Sequence, residues 1–416
     1  MQKMFGALIL SVFVAGAAGA QSVSAGGCNL SRIVIPFFPG DTAWLWMACP
    51  DTSWFVAARN TDRGLQVGPA WLLRAPGTQW LPVLKTAHVA ENYTPYHTGA
   101  RVSDTQFCTA ALCIPPLVAA DLGANGFLIN TSDKPSPTIA AELRDRGIAW
   151  MCKSAGKSHT RRSTEMVVWG TWDPGNYDYI IEYSFRDDGQ MSFRLGATGW
   201  NNTQVGTNVA HTHDILWRVD LDLGTGLNTP YVWFHTETTL VASDWEVLFN
   251  SGFEGAMDFD PLYFASLLIQ DQTVNAAGHN IGYELRPFRV GSARHFAGGE
   301  GWTLHDTWVT RHSGVEYAAS VATTGWTGPD AYLLGTSANN FGVINQQPVS
   351  DEDIVLWHVS SAHHEPHDEN QAPNDPTFGY KGLTLIHWGG FDLVPHNLFD
   401  TNPLGSPHRS LCDGPP

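Results

Sequence analysis

Tyr177 and the run His211-Thr212-His213 stand 34 residues apart, and a second pair, His363-His364, lies towards the C-terminus. Imidazoles at i and i+2 project from the same face of a strand. A third imidazole arriving from a distant segment completes a three-nitrogen set of the kind that binds copper or zinc. A tyrosine held beside copper and O₂ can be oxidised, so this combination could carry redox chemistry as well as hold an ion. Taken alone, a His-x-His describes two hydrogen-bonded histidines on a half-buried strand equally well. Its weight comes from the residues around it.

Those residues run in a recognisable order. Around the tyrosine the chain reads Asp173-Pro174-Gly175-Asn176-Tyr177-Asp178-Tyr179-Ile180-Ile181-Glu182. Arg218-Val219-Asp220-Leu221-Asp222 follows the His-x-His, and Asp353-Ile354-Val355-Leu356-Trp357 precedes His363-His364-Glu365-Pro366. Upstream lies Val89-Ala90-Glu91-Asn92-Tyr93-Thr94-Pro95-Tyr96, and downstream Phe391-Asp392-Leu393-Val394-Pro395-His396 continues to Asn402-Pro403. Between about 54 and 405 the chain resembles the catalytic domain of the copper amine oxidases, enzymes that make a topaquinone from one of their own tyrosines. The resemblance implies a large twisted β-sandwich with the copper site between its sheets. It implies Tyr177 as the quinone precursor, preceded by Asn176, and His211, His213 and His364 as copper ligands, with His363 a neighbour. Asp104 falls where the family places its proton-abstracting base, ahead of a second acid, Asp121, and Tyr96 matches the tyrosine that bonds a quinone oxygen. Asp220, Leu221, Asp222, Asp353 and Ile354 resemble a peripheral site for a hard cation such as calcium. The implied reaction takes a primary amine and O₂ to an aldehyde, ammonia and hydrogen peroxide. The quinone supplies an electrophilic carbonyl that no standard side chain offers. A copper- or zinc-binding sandwich without turnover is the competing reading.

The chain also departs from the family. Thr105-Gln106-Phe107-Cys108 replaces a Gly-rich stretch after the base. Only Asn201–Ala210 stands where the family inserts a long arm that embraces a second subunit, which predicts a monomer or weak dimer. The small domains that usually precede the catalytic one are not expected within residues 21–53.

These side chains need strands to carry them. The Asp-Gly step in Arg186-Asp187-Asp188-Gly189-Gln190 predicts a hairpin turn between Tyr179–Phe185 and Met191–Leu195. Ile215–Leu223 and Ile354–Val359 alternate in strand fashion, whereas Ser136–Arg146 is the best short helical candidate. The pattern predicts an all-β fold, as a large sandwich. The 416 residues are expected to divide into a signal peptide over 1–20, a segment over 21–53 and a catalytic domain over 54–416. Lys3, the apolar run Phe5–Ala17 and Ala18-Gly19-Ala20 form the signal, so the protein is expected to be secreted. No later run is long and apolar enough to be a membrane span. The net charge of −17 argues against a nucleic-acid partner and suits a cationic substrate. The six cysteines predict disulfides in an exported chain, and the absence of any Cys-x-x-Cys argues against a zinc ribbon. Asn29, Asn92, Asn130 and Asn201 each open an Asn-x-Ser/Thr sequon.

Overall fold

The computed structural model describes residues 21–405 apart from 36–37, 39, 62, 75–78, 97–100, 105–112, 155–156, 176, 201–209, 238–241, 260–263, 289–300, 315–344 and 365–382. Residues 1–20, where a signal peptide is expected, Asn176 and nearly all of the Asn201–Ala210 connection therefore lie outside the described residues. The strands within them are β1 (Ser22–Ala25), β2 (Cys28–Ile33), β3 (Thr42–Ala48), β4 (Thr52–Thr61), β5 (Gly64–Arg74), β6 (Trp80–Pro95), β7 (Arg101–Ser103), β8 (Gly126–Ile129), β9 (Ile139–Ser154), β10 (Lys157–Trp172) and β11 (Tyr177–Arg186). Then follow β12 (Met191–Trp200), β13 (His211–Leu221), β14 (Asn228–Glu237), β15 (Ala242–Leu248), β16 (Gly255–Met257), β17 (Ser266–Val274), β18 (Asn280–Pro287), β19 (Thr307–Arg311), β20 (Ile354–His364) and β21 (Leu383–His396).

They form two antiparallel sheets. The first runs β1-β2-β3-β4-β5-β6-β13-β20-β19-β16, with β7 also on β6, and the second runs β15-β14-β17-β18-β21-β12-β11-β10-β9-β8. β1–β3 extend the first sheet without a break, and β4 runs across position 54.

The core lies between the sheets and follows the period of two. On β13, Ile215, Trp217, Val219 and Leu221 enter it, opposite Tyr179, Ile181 and Tyr183 of β11 and Phe193 and Leu195 of β12. Leu216 points the other way, into a tryptophan-rich layer of Trp302, Trp308 and Trp357 that covers the outer face of the first sheet. A strand buried on both faces belongs in the middle of a sheet, and β13 lies between β6 and β20. Cross-sheet hydrogen bonds satisfy the buried polar tips. Tyr183 donates to the Leu65 carbonyl at 2.9 Å and the Trp54 indole donates to the Arg186 carbonyl at 2.7 Å.

The predicted hairpin is present: β11 pairs with β12 from Tyr177↔Gly199 to Phe185↔Met191. Gly189 adopts φ +86° in its turn, and a Cβ there would come within 2.7 Å of the Phe399 ring, so glycine serves both the turn and the packing. The helix expected over Ser136–Arg146 is instead the start of β9. Ile139, Ala141 and Leu143 enter the main core while Ala140 packs outward with Leu117, Val167 and Trp169. Adjacent alanines on opposite faces gave that segment no visible alternation, and pairing to β8 and β10 overrode its helical propensity.

Cys28 and Cys49 form a disulfide between β2 and the end of β3, and Cys113 and Cys152 are disulfide-bonded as well. The Asn92 sequon is fully buried, so its amide is no glycan acceptor in the folded protein, whereas Asn29 and Asn130 are exposed.

Phe193 locks the sheet interface. Its ring stacks on Phe391 at 4.7 Å and meets Tyr183 and Trp217 edge to face at 5.8 and 6.2 Å. Phe193→Ala should lower unfolding free energy by about 3–5 kcal/mol, read as a shifted denaturant midpoint at constant slope.

Candidate metal centre

The first sheet supplies the histidines. His211 and His213 share one face of β13, and register places His364 of β20 directly opposite His211. All three side chains are buried, and one nitrogen from each lies within 4.8 Å of the others. His211 Nε2 and His364 Nδ1 are 3.4 Å apart. His363, the next residue on β20, faces outward and is exposed. The period of two thus selects His364 from the pair.

The second sheet supplies the tyrosine. Tyr177 begins β11 and its phenol oxygen reaches 3.1 Å from His211 Nε2 and 3.4 Å from His364 Nδ1. Its ring lies 4.6 Å from that of His213. Tyr96, just past β6, packs its ring 4.9 Å from His211.

The donor set fits a metal that takes neutral imidazole. His213 Nε2 is buried with no hydrogen-bond partner among the described residues, which is costly unless something else uses its lone pair. Its Nδ1 is held at 3.0 Å by both Thr94 Oγ1 and Tyr179 Oη. Burial, with His211 and His364 beside it, keeps the His213 imidazole well below its ordinary pKa and therefore neutral. Three imidazole nitrogens suit Cu(II) and Zn(II) alike.

Asp104 ends the short β7 excursion and is buried rather than solvated. Its Oδ2 accepts from Tyr179 Oη at 2.5 Å and from Asn92 Nδ2 at 2.8 Å. Burial pushes its pKa up to about 7; the Tyr179 bond opposes that rise and the nearby Glu91 adds to it. Asp121 is exposed and caps a turn through the Val118 amide at 2.7 Å. In the sequence Thr94 and Tyr179 carry no site signature of their own, and Asn92 only that of a sequon. The signal was the period of two, which places Tyr179 on the Tyr177 face of β11 and Thr94 on the Asn92 face of β6.

The acidic cluster is a different matter. Asp353 Oδ2 lies 3.0 Å from Lys85 Nζ, and Asp220 Oδ2 lies 3.8 Å from the same ammonium. Asp220 Oδ2 also meets Arg218 Nη1 and His312 Nε2, each at 3.3 Å. Burial raises Asp222 to about 6, against the pull of Lys85. Leu221 and Ile354 are ladder residues with buried apolar side chains. Lys85, Arg218 and His312 meet Asp220 and Asp353, whereas Asp353, Asp220 and Asp271 add to the rise at Asp222. Calcium held by this set with the Leu221 and Ile354 carbonyls stands as a proposal.

Removing one imidazole from a three-nitrogen set should be decisive. His213→Ala and His364→Ala should each lower Cu(II) affinity by at least about 10-fold in chelator competition, whereas His363→Ala should leave it within about two-fold. Unchanged affinity in His364→Ala would mean that the wrong member of the pair has been chosen.

A family model described as "Copper amine oxidase, enzyme domain" matches residues 143–410. Primary amine oxidase 1 of Arabidopsis thaliana is 24% identical over 448 residues, covering 91% of this chain and 64% of its own length. Histamine oxidase of Arthrobacter globiformis is 26% identical over 330 residues, covering 69% of this chain and 43% of its own. The chain thus spans about two-thirds or less of these relatives. In shape it is similar to Pichia pastoris lysyl oxidase, with a TM-score of 0.67 at 17% identity, covering 86% of this chain and 52% of that one. A benzylamine oxidase from Hansenula polymorpha gives a TM-score of 0.66 at 17% identity, covering 86% and 60%. The match over most of the chain, with a buried His₃ cluster facing a tyrosine across two sheets, shows that this chain belongs to the copper amine oxidase family.

Proposed function

We propose that this chain is a secreted copper- and topaquinone-dependent oxidase of primary amines, releasing aldehyde, ammonia and hydrogen peroxide. The observation that carries the reading is the convergence of the Tyr177 phenol oxygen on two imidazole nitrogens, at 3.1 and 3.4 Å. His211, His213 and His364 would hold copper, and copper with O₂ would supply the oxidising chemistry that makes of Tyr177 a quinone with an electrophilic carbonyl. The rest of the task falls to side chains of this chain. Asp104 would take the substrate's α-proton on its carboxylate. The bonds from Tyr179 and Asn92 fix which oxygen is engaged and leave Oδ1 as the acceptor. Tyr96 walls the His211 side of the site and would orient the ring at position 177. The disulfides support the secreted reading, and no described helix is long and apolar enough to cross a membrane. We take the protein to be a monomer or weak dimer.

The test of the reading is amine turnover. Copper-loaded protein should release hydrogen peroxide from a primary amine such as benzylamine, and Tyr177→Phe should release none while retaining copper. A wild type at full copper occupancy that is inert towards a broad panel of primary amines would sink it.

Asp104 sets the acidic limb of that activity. A carboxyl whose pKa is raised to about 7 is mostly protonated below pH 7 and cannot accept a proton there. Turnover should rise with pH through about 7 and level off above it. The same shift makes Asp104 a stability cost: the folded state prefers the neutral acid, so its contribution worsens as pH climbs from the ordinary carboxyl range to about 7. Asp104→Asn should reduce turnover by about 10²–10⁴-fold and abolish the acidic limb, without lowering thermal stability above pH 7. Wild-type turnover in Asp104→Asn would place the base elsewhere.

A further inference from the structure

Tyr179 is the second tyrosine of the run that carries Tyr177, and it touches both halves of the site. Its side chain is fully buried. Its ring lies 5.4 Å from Trp172, its register partner on β10, and 5.7 Å from His213. The phenol oxygen stands 2.5 Å from Asp104 Oδ2 and 3.0 Å from His213 Nδ1. Those two groups belong to different functions, proton abstraction and metal binding. Building on the function proposed above, we propose that Tyr179 is a positioning residue that ties the base to the metal ligand, aiming Asp104 and holding His213 in the tautomer that binds copper.

One hydrogen decides the arrangement. A phenol has a single O–H. An ionised carboxylate only accepts, so whenever Asp104 is in the form that can take a proton, the Tyr179 hydrogen is committed to its Oδ2. The phenol oxygen then faces His213 Nδ1 as an acceptor, and a 3.0 Å contact between them requires a hydrogen on Nδ1. A neutral imidazole carries one N–H, so Nε2 is left with its lone pair. Nε2 is buried and without a hydrogen-bond partner among the described residues, which leaves it as the nitrogen for the metal. Metal-bound histidines in general donate their other N–H to an oxygen, which fixes tautomer and ring orientation. Thr94 Oγ1 shares the Nδ1 contact at 3.0 Å, but a hydroxyl can donate or accept and so dictates neither tautomer. Only Tyr179, with its hydrogen pinned by Asp104, imposes a direction.

The test compares wild type, Tyr179→Phe and Thr94→Val as copper-free, ¹⁵N-histidine-labelled proteins, with the His213 resonance assigned by its loss in His213→Gln. Wild type should show Nδ1 protonated and Nε2 bare. Tyr179→Phe should lose that defined tautomer and bind Cu(II) about 10–100-fold more weakly in chelator competition. Thr94→Val should keep the tautomer and lose less affinity. Tyr179→Phe with the wild-type tautomer and wild-type affinity overturns the proposal, as does an effect confined to Thr94→Val. Should Tyr179→Phe fail to fold, the wild-type spectrum above pH 7, where Asp104 is ionised, still decides: an Nε2-protonated His213 in that copper-free protein contradicts the hydrogen count. None of these readouts uses amine turnover. An inert wild type with the expected tautomer would remove the oxidase reading and leave the Tyr179 assignment standing.

Discussion

The pairing of β13 with β20 is the constraint on which the site depends. Register along these two strands sets His211 against His364, and the pleat adds His213 on the same face. A slip of β20 by one residue would turn His364 out of the site and bring exposed His363 inward. Burial on both faces prevents such a slip. Ile215, Trp217 and Val219 fill the inter-sheet core, while Leu216 and Trp357 fill the tryptophan layer outside it. The same packing that stabilises the fold therefore specifies the metal geometry.

Placing the tyrosine in the other sheet has a chemical consequence. Tyr177 reaches the imidazoles across the sandwich, so its ring is held by β11 and its oxygen faces groups held by β13 and β20. Neither sheet alone has both halves of the site. Rings such as Phe193, Tyr183 and Trp217, which fix the spacing of the sheets, are therefore part of what holds oxygen and nitrogen near 3 Å. Asp104 arrives by a third route, at the end of the small β7 strand on β6. It depends on Tyr179 and Asn92 to join it to the rest.

Much of this was legible in the chain because strand chemistry is local. His-x-His on an alternating segment, a tyrosine heading a hairpin with Asp-Gly in its turn, and the run Ile354–His364 all announce side chains on a known face. What could not be read depended on partners distant in sequence. Ser136–Arg146 looks helical until β8 and β10 flank it. Asn92 looks like a glycosylation site until its strand is found in the middle of a sheet. The acids at 220, 222 and 353 show a hard-cation pattern, but not that Lys85, from a different strand, lies 3.8 and 3.0 Å from Asp220 and Asp353. Tyr179 carries no motif meaning beyond its neighbour until Asp104 and His213 close on its one hydroxyl.

The central claim is that Tyr177 is chemically converted where it stands. Mass spectrometry of the peptide spanning Tyr177, taken from aerobic copper-loaded protein after phenylhydrazine treatment, tests it most directly. The account predicts a hydrazine adduct on residue 177 and on no other tyrosine, absent when copper is withheld. Unmodified Tyr177 in protein with full copper occupancy would contradict it.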